Sequence, residues 1–397
     1  MSKLSAESRE EINGLVSAVH SIGQLLAKNA TAANETRRLP EESVDALTEI
    51  GAFRIFTQRH FGGIEGGAQM LAEVARTLGQ YCPASAWVTV ISNGSVLLAN
   101  RYPTKAVERV FGDNRDTRVA SIFAPSGSAV PIDGGYKVNG TWGFSSGILH
   151  ADWAIGFTPI CDTDGNEIDM GMALMSVSDL TIKDTWHTVG MRGTGSHTMI
   201  ADDVEVPASH VIQVADGLST SREESAESSA LLRLPPISTM TTAIATPVIG
   251  TAQAALKYVA EKAPKRSITY TNYATQASSG AFVHNIGATS MKIDSALLHI
   301  QRSAAAIDDA AQSTTPLTLE QRRRVRGDVG HAMYQVCDAM NDLLWLHGTA
   351  AFAESSPLQQ MWRDVSTGAR HAGISAPMSY ELYGGSLVGN DPIVAMV

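Results

Sequence analysis

Residues 134–153 read GGYKVNGTWGFSSGILHADW. Apolar and polar side chains alternate around Asn139-Gly140, which is the pattern of a β-hairpin. Two tryptophans, a phenylalanine, two adjacent serines and a histidine then crowd between glycines. A strand pair accounts for the glycines and the aromatic rings. It leaves Ser145 and Ser146, beside Gly147, without a reason.

The surrounding sequence extends the β pattern. From about 117 to 212 the segments are short, β-branched and broken by Gly, Asp and Pro, as in WAIGFTPI, GMALMSV and SHTMIADDVEVP. Both flanks are helical. Residues 6–30 repeat Ile12, Leu15, Val16, Val19, Ile22 and Leu26 at helical spacing. Further helices are expected over 41–51, 68–80 and 83–100, the last opened by Pro83. After 213–230, a polar linker, long alanine-rich helical patterns return over 236–263, 279–312, 318–353 and 357–374. The expected organisation is an N-terminal helical domain (1–116), a middle β-barrel domain (117–212), the linker (213–230) and a C-terminal helical bundle (231–397). The fold class is mainly α with a central β domain.

Composition narrows the function. The chain has 397 residues, 44% hydrophobic and 18% charged, with a formal net charge of −10. That balance excludes a partner bound through nucleic-acid phosphates. The three cysteines are far apart and form no CxxC, so neither a zinc site nor a disulfide frame is expected, and a reducing cytoplasm fits. No run of about twenty apolar residues offers a membrane span, and the acidic N-terminus is unlike a secretory leader.

Several motifs fail on inspection. GMRGTGSH (190–197) lacks the third glycine of a dinucleotide fingerprint and the lysine of a phosphate loop, and a strand follows it rather than a helix. No nicotinamide domain is expected, because βαβ alternation is absent. The histidines show no HxxxH spacing for a metal. Asp328 and His331 read as a solvated helix face. SSG is not the GxSxG elbow of a hydrolase.

The order of motifs resembles the acyl-CoA dehydrogenase superfamily, with N-terminal helices, a β-barrel and a four-helix bundle. VGMRGTGSHTMIADDVEVP (189–207) is similar to the run that closes the β domain there. LPEESVDALTEIGAFRI (39–55), CPASAWV (82–88), WGFSSGILHADW (142–153) and PLQQMWRDVSTGARHA (357–372) resemble its flavin-dependent monooxygenase branch, the oxygenase components of two-component aromatic hydroxylases. The likeness spans nearly the whole chain.

The resemblance implies a chemistry. Reduced FMN or FAD arrives as a diffusible substrate from a separate NAD(P)H-flavin reductase. With O2 it forms a C4a-hydroperoxide, which hydroxylates an aromatic or polycyclic substrate. Ser146 is implied at the flavin N5 edge with Ser145 beside it, Phe144 and Trp142 near the ring, and Phe123 on the flanking strand. By spacing alone, Trp142 and Phe144 read as core and the serines as the end of a hairpin; the resemblance over the whole chain reverses that reading.

The likeness also implies His371 near C4a, managing protons with a near-neutral pKa. Without it, His371 reads as a helix-end residue. Where several branch members carry a substrate-facing His, this chain has Asn93, which can orient an oxygen but is no base. Arg266 is implied on flavin phosphate, often from a neighbouring subunit, with His347 and Gly348 against the flavin tail. A homotetramer is expected.

Three alternatives stay open. A true dehydrogenase would need a carboxylate base, for which Glu381 in SYELYGG is the candidate. N-hydroxylation of an amine on the same scaffold is the second, and a non-catalytic helical binding protein is the third.

Overall fold

A computed structural model of the chain describes residues 5–219, 229–313, 315–390 and 395–396. Most of the expected linker, 220–228, lies outside the described residues.

Among the described residues, five α-helices precede the first strand: α1 (Ala6–Thr36), α2 (Glu41–Glu49), α3 (Ala68–Gly79), α4 (Pro83–Ala99) and α5 (Thr104–Phe111). The Ser5 hydroxyl caps α1 by accepting from Ser8 N, and Arg37 ends it in a left-handed conformation, φ 57°. Pro83 sits in the first turn of α4, where a missing N–H costs nothing. Every later residue of α4 is buried, so this helix is apolar all round and forms the centre of the molecule. α5 was not anticipated from the sequence; at eight residues it is short for a periodic signal.

Eight strands follow: β1 (Val119–Ile122), β2 (Ser128–Ile132), β3 (Gly135–Ser145), β4 (Trp153–Cys161), β5 (Glu167–Ser176), β6 (Thr181–Lys183), β7 (His197–Pro207) and β8 (Val211–Gln213). They form one sheet in the order β6-β7-β3-β2-β4-β5-β8, with β1 parallel to β4. The middle β domain takes the form of this sheet, with β6 and β8 at its edges among the described pairings.

The hairpin turn is not where the sequence suggested. Asp133-Gly134 makes it, with Gly134 at φ 76°. Asn139-Gly140 lies inside β3, at a register shift against β7. Asn139 Nδ2 donates to Asp203 Oδ1 at 2.9 Å and its Oδ1 accepts from Asp203 N at 2.8 Å. Pairing with a distant strand draws the chain straight through a dipeptide that locally favours a turn.

A short helix, α6 (Val214–Gly217), falls in the expected linker and packs on β5 and β8, and the C-terminal part contains α7 (Pro236–Lys262), α8 (Gly280–Ser313), α9 (Leu319–His347), α10 (Pro357–Gly368) and α11 (Ala376–Leu387). α3 crosses α7 at close range because glycines meet there. A Cβ on Gly79 would stand 2.5 Å from Pro247 O, and one on Gly250 would stand 2.0 Å from Arg76 O. Asp308 of α8 caps α3 from across the chain, accepting from Ala68 N at 2.6 Å and Gln69 N at 3.0 Å. Burial raises the pKa of that carboxyl.

Three helix readings need correction. The expected helix over 318–353 stops at His347, and that over 357–374 stops at Gly368. Asp328 is buried, not solvated. It accepts from Arg302 Nε and Arg324 Nε at 3.0 Å each and from Ser303 Oγ at 3.2 Å, and Nδ1 of His299 lies 3.0 Å from it. Helix packing in the bundle closed over a residue that the sequence alone left on the outside.

Candidate active site

A cavity of about 540 Å³ lies between the sheet and the bundle. A larger groove of about 910 Å³ runs along α1, α3 and α8 but touches none of the expected site residues.

The opening stretch divides at a bulge. Trp142 pairs with Met199 and Ser145 with His197, so two residues of β3 face one of β7. Before the bulge, Trp142 turns into the sheet core, 1% exposed, and its indole N–H donates to Phe157 O at 2.8 Å. Ser145 is likewise buried and donates to Trp142 O at 3.2 Å. Trp142 and Ser145 therefore support the wall from behind and do not line the cavity. Phe144 takes φ +64°, rare for an aromatic residue, and projects into the cavity, 74% exposed. Its ring meets Trp186 edge-on at 5.8 Å. Phe123 lines the same wall and leans on Phe157, ring centroids 4.5 Å apart.

Ser146, at the cavity rim, is held by a run of hydrogen bonds. Trp87 Nε1 of α4 donates to Ser146 Oγ at 3.2 Å. Ser146 Oγ lies 2.7 Å from Ser196 Oγ, which lies 2.7 Å from Thr194 Oγ1. Thr194 donates to Met191 O at 2.8 Å. The backbone at Met191 is gripped in turn by α10: Asp364 Oδ1 accepts from Met191 N at 2.5 Å, and Arg363 Nη1 donates to Val189 O at 2.7 Å. Burial pushes the Asp364 carboxyl up to about 6.

His371 stands on the opposite side, three residues beyond α10 rather than on it. Its Nδ1 accepts from Gly373 N at 3.1 Å, which assigns the proton of the neutral ring to Nε2. The ring is surrounded by protein yet opens to the cavity. Burial, then the nearby Arg326 charge, lowers its pKa, so it is neutral at pH 7. Trp87 links the two sides: its ring centroid is 5.6 Å from that of His371, and its N–H reaches Ser146. Arg326 of α9 also lines the cavity. It donates to Gly373 O at 2.5 Å, while its buried Nε has no hydrogen-bond partner and no carboxylate pairs with it among the described residues.

Asn93 does not reach this cavity. Its Oδ1 accepts from Phe56 N at 3.1 Å, and its Nδ2 donates to Ala52 O at 2.8 Å and Thr89 O at 2.9 Å. It is fully buried and ties α4 to the turn at 52–56, so no polar atom is left for a substrate. Glu381 is exposed on α11 and away from the cavity, which removes the candidate base of the dehydrogenase reading.

Arg266, His347 and Gly348 form a separate cluster at one end of the bundle. Gly348 ends α9 at φ +71°. Gln276 joins the cluster by donating its N–H to Arg266 O at 2.7 Å and its Nε2 to Leu346 O at 2.9 Å. Burial first, then Arg266 and Lys262, lowers the His347 pKa to about 4. Arg266 Nη1, Gln276 Oε1 and His347 Nδ1 are buried without hydrogen-bond partners.

Trp87, Thr194, Ser196 and Arg326 were not among the expected site residues. The first three sit in the stretches CPASAWV and VGMRGTGSH, where the family likeness was already strong. Arg326 left no signal, being one arginine of several in α9.

A helical, sheet and helical-bundle layout around this cavity defines the acyl-CoA dehydrogenase class of flavoprotein. Residues 242–376 match the family described as acyl-CoA dehydrogenase, C-terminal domain. The solved structure of XiaF from Streptomyces sp., in complex with FADH2 and glycerol, superposes with a TM-score of 0.97 at 42% identity, covering 99% of both chains. The oxygenase subunit HsaA, a flavin-dependent monooxygenase of Rhodococcus jostii (strain RHA1), is 30% identical over 361 residues, covering 90% of this chain and 94% of HsaA. The FADH(2)-dependent resorcinol hydroxylase oxygenase component of Rhizobium sp. (strain MTP-10005) is 27% identical, covering 95% of each chain. The chain belongs to the flavin-dependent monooxygenase branch of the acyl-CoA dehydrogenase family, as an oxygenase component.

Proposed function

We propose that the cavity binds reduced flavin, delivered by a separate NAD(P)H-flavin reductase, beside an apolar polycyclic or heteroaromatic substrate that is hydroxylated there. The residues present fit a flavin. Phe123, Phe144 and Trp186 supply aromatic wall, Ser146 a hydroxyl at the rim, and Arg326 a buried positive charge awaiting an anionic group. When bound, reduced flavin supplies the two electrons that activate O2 for transfer of one oxygen atom. Ser146 accepts from the flavin N5 edge. His371 offers Nε2–H to the reacting centre and relays protons there. Ile91, Ile122, Met240 and Ile244 keep water out, which protects the reactive state from leaking to peroxide.

The observation that carries this reading is that one tryptophan, Trp87, touches both Ser146 and His371 across a single apolar cavity. The apolar lining supports a polycyclic ring rather than a small polar phenol. The unpaired Nη1 of Arg266 supports a second contact, with the phosphate end of a flavin held mainly by a neighbouring subunit of a homotetramer. The test is anaerobic loading with reduced FMN or FAD, followed by oxygenated buffer and a panel of aromatic compounds. Ring hydroxylation detected by mass spectrometry, with Ser146→Ala diverting more oxygen to hydrogen peroxide, supports the reading. Failure to bind either reduced flavin ends it.

A further inference from the structure

The run of hydroxyls beside Ser146 has a direction. Thr194 Oγ1 lies 2.8 Å from Met191 O. A carbonyl has no hydrogen to give, so Thr194 is the donor there, and its one hydrogen is spent. The 2.7 Å contact between Thr194 and Ser196 then needs the hydrogen of Ser196. The 2.7 Å contact between Ser196 and Ser146 in turn needs the hydrogen of Ser146. At the other end, the Trp87 indole can only donate, and it does so to Ser146 Oγ at 3.2 Å. A pure acceptor and a pure donor thus bracket three ambivalent hydroxyls. Thr194 and Ser196 are only 2% and 3% exposed, so water does not compete for their hydrogens. The Met191 carbonyl is itself held in place, accepting also from Trp186 Nε1 at 3.0 Å.

We propose that the Thr194–Ser196–Ser146 chain makes Ser146 a hydrogen-bond acceptor only, so that the cavity selects flavin carrying a hydrogen on N5, the reduced form, and releases the oxidised form. This rests on the flavin reading above. Reduced flavin presents N5–H, which the free lone pair of Ser146 accepts. Oxidised flavin presents an N5 lone pair, and two facing acceptors leave both unsatisfied. Thr194 and Ser196 are then positioning residues for the redox preference of the site, acting through Ser146. A serine free to rotate would satisfy either form and discriminate little.

The test compares dissociation constants of oxidised and anaerobically reduced FAD and FMN by ultrafiltration, for the wild type and three variants. Thr194→Val keeps the shape but frees the hydrogen of Ser196, so the chain can reverse. The preference for reduced flavin is expected to fall about tenfold, the size of one net hydrogen bond. Ser196→Ala, which leaves the hydrogen of Ser146 unclaimed, should do the same, and Thr194→Ser should retain the wild-type preference. A folded Thr194→Val with undiminished preference overturns the inference, as does a wild type that binds both forms equally. If Thr194→Val does not fold, Ser196→Ala decides by itself. A wild type that binds neither redox form removes the flavin reading and this inference together, a result distinct from unaltered preference in the variants.

Discussion

The cavity wall and the far end of the bundle treat buried polar atoms in opposite ways. From Trp87 to Met191 each donor finds an acceptor inside the same chain. At the bundle end, Arg266 Nη1, Gln276 Oε1 and His347 Nδ1 are buried with none. A buried polar atom without a partner costs about 1–3 kcal/mol. The run from Trp87 to Met191 is therefore satisfied by folding, whereas the bundle end keeps unpaired polar atoms among the described residues. Preorganisation of the first kind suits positioning of a reactive ring. Unpaired atoms of the second kind suit recognition of a group that arrives later.

The sharpest way to break the wall is from behind. Trp142→Ala removes a large, fully buried ring against which Gly140 and Gly156 are fitted. It should cost about 3–5 kcal/mol in denaturant unfolding. A loss below about 1 kcal/mol would mean that the sheet core does not brace the wall.

On the cavity side, His371→Ala should leave stability nearly unchanged and lower hydroxylated product per reduced flavin about a hundredfold. An unaltered yield would take His371 out of the chemistry.

Asp364 tests how the wall is tied to α10. Its folded pKa is raised from 3.8 to about 6 by burial. Between those values the folded chain holds more protons than the unfolded one, so stability falls as pH rises across roughly pH 4–6. Asp364→Asn still accepts from Met191 N and cannot ionise. It should match the wild type near pH 4 and exceed it at pH 8 by roughly 2–3 kcal/mol, at 1.36 kcal/mol per pKa unit. Parallel stability curves for the two proteins would refute a buried, ionising carboxylate at this point.

Arg266→Ala probes the other region. It should weaken FAD binding about tenfold, as expected for loss of one charge-assisted hydrogen bond, with little change in the stability of the flavin-free protein. If unfolding of that flavin-free protein shifts instead, the cluster is structural. The smallest effect is expected for Phe144→Ala. Exposed and at a positive φ, Phe144 lines the cavity and contributes little to the fold, so a stability change under about 0.5 kcal/mol is expected. Reduced-flavin affinity should nonetheless drop measurably in the same titration.

Much of the architecture was legible in the sequence. Helical periodicity marked α1, and proline at the start of α4 marked its beginning, because both are local. Ser146 and His371 were named from family likeness, and the structure brings both to one cavity. Asn93 was misjudged for a physical reason: its position on an apolar helix does not reveal that three backbone groups of distant residues would consume its amide. Trp142 and Phe144 stand two residues apart, and period-two alternation would put them on one face. One bulge sends them to opposite sides.

The chain by itself determined most of its longer elements, its family and the chemical types gathered in its most unusual stretch, since propensity, periodicity and motif spacing are properties of neighbours in sequence. Only the tertiary structure decided where the turn of β3 falls, which aromatic ring faces the cavity and which hydroxyl points which way. Those choices depend on ladder register and hydrogen-bond partners supplied by segments 50 to 173 residues away. No local signal encodes them.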